Sequence, residues 1–157
     1  MFILEAAKLT NRCMIINEQT NEVVVQNRIK DWKGITFPGG KIEIGEAIIP
    51  STIREIKEET GLTISNLLFC GLKNWYDFKK QERYIVFLFK TTKYQGTLLK
   101  DTPEGKVSWM PLAELKNQDL SSDFMEMLDI FLGKKAEFFY EDTQADDEKA
   151  RWVKRFY

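Results

Sequence analysis

Residues 39–62, GGKIEIGEAIIPSTIREIKEETGL, constrain this chain more than any other stretch. They open on a double glycine that follows Phe37-Pro38 and close on Gly61 and Leu62. Pro50 and Gly61 predict a helix between them, because proline is tolerated in a first turn and glycine suits the position just past a last one. Ile49, Ile53, Ile56 and Thr60 recur at helical spacing and predict one apolar stripe. Glu55, Glu58 and Glu59 stand at i, i+3 and i+4, which at about 100° per residue places them on one arc facing away from the isoleucines. Three acids so placed are either a solvated face or an all-oxygen site for a hard divalent cation such as Mg²⁺. The Gly39-Gly40 turn favours the second reading, since it lets a backbone carbonyl approach the same place.

The chain has no histidine. That removes Ser-His-Asp and Cys-His chemistry together with the commonest transition-metal ligand. An enzyme built this way must work through carboxylates, lysines, tyrosines or a hard metal ion. The net charge of −1 favours neither a DNA duplex nor a membrane surface as partner, so any anion is held by a local arrangement. Cys13 and Cys70 are unclustered, which excludes a disulfide scaffold or a zinc finger and suits a reducing cytosol. No apolar run approaches the roughly 20 residues of a membrane span, and no basic-then-apolar leader opens the chain. The expectation is a soluble cytoplasmic protein with one domain over 1–157 and a C-terminal extension at 134–157.

Around the central stretch the pattern is mostly that of strands. Residues 6–16 and 23–26 predict a hairpin across the polar turn 17–22, and 28–33 predict a loop in which Trp32 is a core anchor or a lid, core being favoured. Residues 34–38 are extended, because Pro38 biases Phe37 away from the helical region. Strands are expected at 62–64, 67–72, 84–90 and 107–110, with 74–82 as a hairpin connection and 111–115 as a short helical turn. Phe124, Met127, Leu128 and Phe131 predict a second amphipathic helix, capped by Ser122 or Asp123 and ended by Gly133. Residues 140–148 read as a mobile acidic loop, and ARWVKRFY as a terminal helix or strand packing Trp152, Phe156 and Tyr157 on the body.

From Gly40 the chain reads Gly, five residues, Glu46, seven residues, Arg54-Glu55-Ile56, one residue, Glu58-Glu59, one residue, Gly61-Leu62. This pattern resembles the Nudix box at all nine of its specified positions, over 40–62. The flanking FPGGKIE is similar to the MutT-type branch, whose members resemble 8-oxo-dGTP diphosphatases. The resemblance implies an α+β fold, an α/β/α sandwich with a mixed β-sheet between helices. It implies a pyrophosphohydrolase that uses Mg²⁺ or Mn²⁺ and cuts a nucleoside triphosphate to monophosphate and pyrophosphate. Carried over, Glu55, Glu58 and Glu59 would be metal ligands with the carbonyl of Gly39, and Glu55 could also orient and deprotonate water. Arg54 would hold the carboxylates, Glu46 would anchor loop to helix, Lys41 would sit near the phosphates, and Gly40 and Gly61 would be structural. Glu104, in PEGKVSW, matches a further acidic ligand of the branch, or is an ordinary loop glutamate.

Substrate signatures outside the box are mostly absences. The Ser-Gln-Pro-Trp-type array of the NADH-cleaving branch is missing, Asp77 and Phe78 stand where the ADP-ribose branch favours proline, and only Arg28 matches the coenzyme A branch. These absences point to a nucleoside triphosphate, best an oxidised guanine nucleotide. Trp32, Trp75, Tyr76 and Phe78 are candidates to stack a base, and Asn117, Asp119 or Asp123 to read its edge; each has an alternative as an ordinary core or surface residue. A dinucleotide, a nucleotide sugar, an RNA 5′ end or a non-catalytic nucleotide-binding module are the competing readings. Near-neutral charge counts against extended RNA contact. A homodimer through the N-terminal hairpin or the C-terminal tail is left open.

Overall fold

The computed structural model describes residues 2–157. The N-terminal hairpin forms as expected, β1 (Ala6–Asn17) turning into β2 (Glu22–Arg28). Asn17 Oδ1 closes the turn by accepting the N–H groups of Gln19 and Thr20 at 3.0 and 3.3 Å. The chain continues through β3 (Gly34–Thr36), α1 (Ile48–Thr60), β4 (Thr63–Ser65), β5 (Leu68–Asp77), β6 (Glu82–Thr91) and β7 (Lys93–Gln95). It then forms β8 (Asp101–Thr102), β9 (Gly105–Pro111), a 3-10 turn (Leu112–Asn117), α2 (Phe124–Phe131), β10 (Glu137–Asp142), α3 (Glu148–Arg151) and β11 (Trp152–Phe156).

The main sheet runs β11-β10-β5-β6-β1-β2-β9-β8, with β3 beside β2, and β4 and β7 form a separate pair. The sheet is mixed: β1 lies parallel to β6 and β10 parallel to β5, and the other pairs are antiparallel. Side chains alternate across β1. Met14 faces a cluster with Phe124 and Phe131 of α2, while Cys13 and Ile15 face Ile56 of α1. A helix therefore covers each face of the sheet. β1 pairs with β2 only at Ile16–Val23 and Asn17–Glu22, so the sheet opens along the first half of β1. The loop from Pro38 fills that opening: Asn11 and Cys13 donate to the carbonyls of Gly40 and Pro38 at 2.9 Å, and Ile42 donates to Leu9 at 3.0 Å.

Several expectations are corrected. α1 begins at Ile48, with Pro50 in its first turn and Gly61 at φ 81° past its end. Ile49 faces solvent, and the buried side is Ser51, Thr52, Ile56 and Thr60. Ser51 and Thr52 tolerate burial because their hydroxyls donate back to the carbonyl of Ile48 at 2.7 and 3.0 Å. β5 extends to Asp77, so the expected connection at 74–82 shrinks to a tight turn whose Lys79 and Lys80 N–H groups are held by Asp77 Oδ1. Trp32 is 59% exposed at φ 55° and is not a core anchor.

The expected acidic loop at 140–148 is partly strand. β10 and β11 extend the sheet beyond β5, and Phe156 stacks on Phe138 with centroids 5.0 Å apart. Arg151 closes this hairpin, donating from Nε to Asp142 Oδ1 at 2.8 Å and from Nη2 to Asp77 Oδ1 at 3.0 Å. Tyr157, expected to pack on the body, is exposed. No helix among the described residues is long and apolar enough to cross a membrane.

Candidate active site

The glycine loop lies between β1 and α1 because two buried polar groups hold it there. Asn11 Oδ1 accepts the N–H of Gly40 at 3.0 Å, and Asn11 Nδ2 donates to Ser51 Oγ at 3.2 Å, tying loop to helix. The N–H of Gly39 donates to Glu59 Oε2 at 3.0 Å. Space requires glycine at Gly39, where a Cβ would lie 2.1 Å from the Asn11 carbonyl oxygen, and a Cβ on Gly40, 2.2 Å from Glu55 Oε2, would push the Glu55 carboxylate out of its place.

Arg54 gathers the acids. Its guanidinium forks onto Glu46 at 2.7 and 2.9 Å, and Nη1 donates to Glu55 at 3.0 Å and Glu58 at 3.2 Å. Nη2 also donates to the carbonyl of Lys41 at 3.1 Å, while Lys41 itself is exposed. The Arg54 hydrogen bonds, helped by the N–H of Glu43, hold the Glu46 carboxyl down to about 2. Glu59 goes the other way. Burial pushes its carboxyl up to about 7 against the Gly39 N–H and the charge of Arg12, and the Glu55 charge adds to the rise.

Among the described residues no three His, Cys, Asp or Glu side chains converge as a closed metal cage, and Glu55 and Glu58 lean on Arg54. The donor set of Glu55, Glu58, Glu59 and nearby backbone carbonyls is nonetheless all oxygen. A Glu59 whose carboxyl is raised by burial and by the neighbouring Glu55 charge marks a place where added positive charge is favourable, which fits a hard divalent cation. Glu104 stands further out, 3.8 Å from Arg28 Nη2, and the Arg28 charge is felt in turn at Glu59.

A cleft opens beside this cluster, and Arg28, Trp32, Trp75, Tyr84 and Asp123 line it. Trp75 and Tyr84 stack with centroids 4.4 Å apart, and Trp32 stands edge-on to Tyr84 at 6.5 Å. Asp123 holds the N-cap position of α2 at φ 63° but makes no capping bond. Its carboxylate lies between Lys73, at 3.2 Å, and Lys154 of β11, at 3.3 Å. Tyr76 and Phe78 are not in the cleft; they pack edge-on against each other at 4.9 Å, with Arg83 over Tyr76. Asn117 is exposed and donates to Glu114 at 3.4 Å, and Asp119 is exposed with its carbonyl accepting the N–H of Ile35.

Sequence reasoning missed Asn11, Arg12, Lys73 and Tyr84. A signal existed for the first two: Thr10-Asn11-Arg12 puts three polar residues in a row inside a strand that is otherwise apolar toward its end. None existed for Lys73, which reads as an ordinary strand-end lysine.

A family model described as NUDIX domain matches residues 8–129. The chain is 33% identical over 114 residues to the 8-oxo-dGTP diphosphatase of Escherichia coli (strain K12), a match covering 67% of this chain and 81% of that protein. It is 31% identical over 101 residues to an uncharacterized Nudix hydrolase of Bacillus subtilis (strain 168), covering 60% of this chain and 62% of that protein. Among solved structures, a MutT protein from Bacillus halodurans superposes with a TM-score of 0.70 at 24% identity, covering 95% of this chain and 97% of the other.

Proposed function

This chain belongs to the Nudix hydrolase family, and from that premise we propose that it is a divalent-metal-dependent pyrophosphohydrolase that cleaves a nucleoside triphosphate to monophosphate and pyrophosphate. An oxidised purine nucleotide such as 8-oxo-dGTP is the proposed substrate, supported by the activity named for the Escherichia coli relative. The observation that carries the reading is the half-buried Glu59, bonded to Gly39 and flanked by Glu55, with Arg54 drawing Glu55 and Glu58 together.

Glu55, Glu58, Glu59 and the Gly39 carbonyl would hold Mg²⁺ or Mn²⁺, with Glu104 as a further ligand. An ion bound there supplies charge neutralisation on the phosphate oxygens and lowers the pKa of water near it. Arg54 orients Glu55 and Glu58 through charge-assisted hydrogen bonds. Glu55 then accepts the proton of the attacking water. Glu46 fixes Arg54 and, by accepting the Glu43 N–H at 3.0 Å, fixes the loop as well. Lys41, exposed on the loop, offers a mobile point charge to the leaving pyrophosphate. The base enters the neighbouring cleft, where Trp32 covers it, Asp123 faces its edge and Arg28 stands toward the phosphates.

The test is a panel of normal and oxidised nucleoside triphosphates, dinucleotides and ADP-ribose, assayed with Mg²⁺ or Mn²⁺ for pyrophosphate or phosphate release. Pyrophosphate from a purine triphosphate is expected, and a dinucleotide or ADP-ribose cleaved in preference would sink the substrate reading. E58Q should cut turnover roughly 100-fold or more while the fold is retained; unchanged turnover would sink the mechanism.

A further inference from the structure

Arg12 differs from the other cations of the cleft. It projects from β1 on the side of Thr10 and Met14, is half-buried, and shares the cleft with Trp32, Trp75 and Tyr84. Lys73 has Asp123 at 3.2 Å, and Arg28 has Glu104 at 3.8 Å and the Asp31 carbonyl at 3.1 Å. Among the described residues Arg12 has no carboxylate within ion-pairing distance, and its hydrogen bond is a long one, 3.4 Å, to its neighbour's carbonyl. Burial pushes its guanidinium below the ordinary arginine value, Arg28 repels it, and the more distant charges of Glu59 and Glu55 offset this in part. A guanidinium carries five N–H donors, and the single long hydrogen bond leaves most of those of Arg12 to solvent or to a ligand in the cleft. Such a group is explained if its partner arrives with the ligand.

We propose that Arg12 is a substrate-binding residue that reads a ring carbonyl oxygen of the base, so that the cleft takes an oxo-purine in preference to adenine. The ligand being a nucleotide rests on the function proposed above. The phosphates belong with the acids of α1 and the glycine loop; Arg12 is rooted beside Gly39 and feels the charge of Glu59, while its side chain shares the cleft with the aromatic walls and Lys73. Its fork presents donors only. Guanine offers O6 and N7 side by side as acceptors, while adenine sets an amino group beside N7 and meets the fork donor to donor. An oxidised guanine keeps O6 and adds a second carbonyl oxygen at C8, while its N7 gains a proton and becomes a donor, so the fork meets that base through a carbonyl oxygen and not through the O6–N7 pair. Lys73 is likewise a donor only, and Asp123 is already engaged by Lys73 and by Lys154 at 3.3 Å. The cleft is thus richer in free donors than in free acceptors.

Calorimetric binding of GMP, 8-oxo-dGMP and AMP to the full chain, as wild type, R12M, R12Q and R12K, tests the assignment. Wild type should bind both guanine nucleotides roughly tenfold more tightly than AMP. R12M and R12Q should lose about tenfold for the guanine nucleotides and little for AMP, with R12K recovering part of the loss. R12M should melt no lower than wild type, since it removes a charge without a partner, and R12Q serves if R12M does not fold. Equal losses for all three ligands would put Arg12 on the phosphate and overturn the base assignment. So would unchanged affinities, or a wild type with no preference for guanine. None of these ligands has an anhydride to cleave, so a failure to hydrolyse triphosphates would defeat the proposed reaction and leave this result standing.

Discussion

Glu59 shows how one residue can carry a cost that a ligand repays. Its folded carboxyl is pushed up to about 7 from the ordinary 4.5, chiefly by partial burial. Between those values the folded state holds a proton that the unfolded state has released, so stability falls as pH rises through that window. E59Q removes the penalty. In metal-free buffer at pH 8 the variant should be more stable than wild type by on the order of 1–3 kcal/mol, and at pH 4.5 the difference should vanish. Denaturant titration at the two pH values, repeated with Mg²⁺, measures this. Mg²⁺ should raise wild-type stability at pH 8 and leave E59Q nearly unchanged. Equal stability of the two proteins at pH 8 would mean that Glu59 is solvated. At this scale the sequence was informative about Glu55, Glu58 and Glu59, whose spacing puts them on one helical face. It was silent about how far each of them is buried, because that depends on how the Gly39 loop lies against β1.

The element that departs most from expectation is the C-terminal hairpin. Its composition is polar and acidic, which suggested mobility, but the acids are spent inside the structure. Asp142 is buried, accepts from Arg151 and from the N–H groups of Phe78 at 2.9 Å and Gln144 at 2.9 Å, and is held well below the usual carboxylate range, chiefly by Arg151. An acid depressed in this way contributes stability above its unfolded value, about 3.9, and loses it as pH falls further. R151M should therefore loosen β10 and β11 at neutral pH. Limited proteolysis between residues 143 and 150 should run roughly tenfold faster than in wild type, and wild type should move toward the same behaviour progressively as pH falls from about 4 toward the depressed value of Asp142. Protection unchanged in R151M would show that strand pairing alone holds the hairpin. Period-based reading failed here because a buried ion pair looks, in sequence, like a pair of surface charges.

For the whole molecule, the parting of β1 from β2 makes room for the glycine loop and so places the acids of α1 beside an aromatic cleft. Although the chain carries −1 overall, that cleft is lined by Arg12, Arg28 and Lys73 against Asp123 alone, so its local charge opposes the global one. The tail belongs to this architecture. β10 covers the edge of β5 over Leu72 to Trp75, Phe138 is fully buried, and Lys154 holds Asp123 from the far side. Ending the chain at Gly133 would bare that edge and part of the core. The shortened protein should lose its cooperative thermal transition or aggregate, and a normal transition by calorimetry would show that 134–157 is dispensable to folding.

The turn, the helix and its acidic face were determined by the sequence alone, because glycine and proline geometry and a 3.6-residue period act within a few residues of one another. So was the hairpin of β1 and β2, whose turn residues and β-branched run are equally local. The tertiary structure alone decided that Trp32 and Trp75 line the cleft and Tyr76 and Phe78 do not, since a strand's faces are assigned by its pairing with distant strands. It alone brought Arg12, Lys73 and Asp123 together from β1, β5 and the start of α2. Their encounter depends on sheet order and register across more than a hundred residues of chain, for which no local spacing is a proxy.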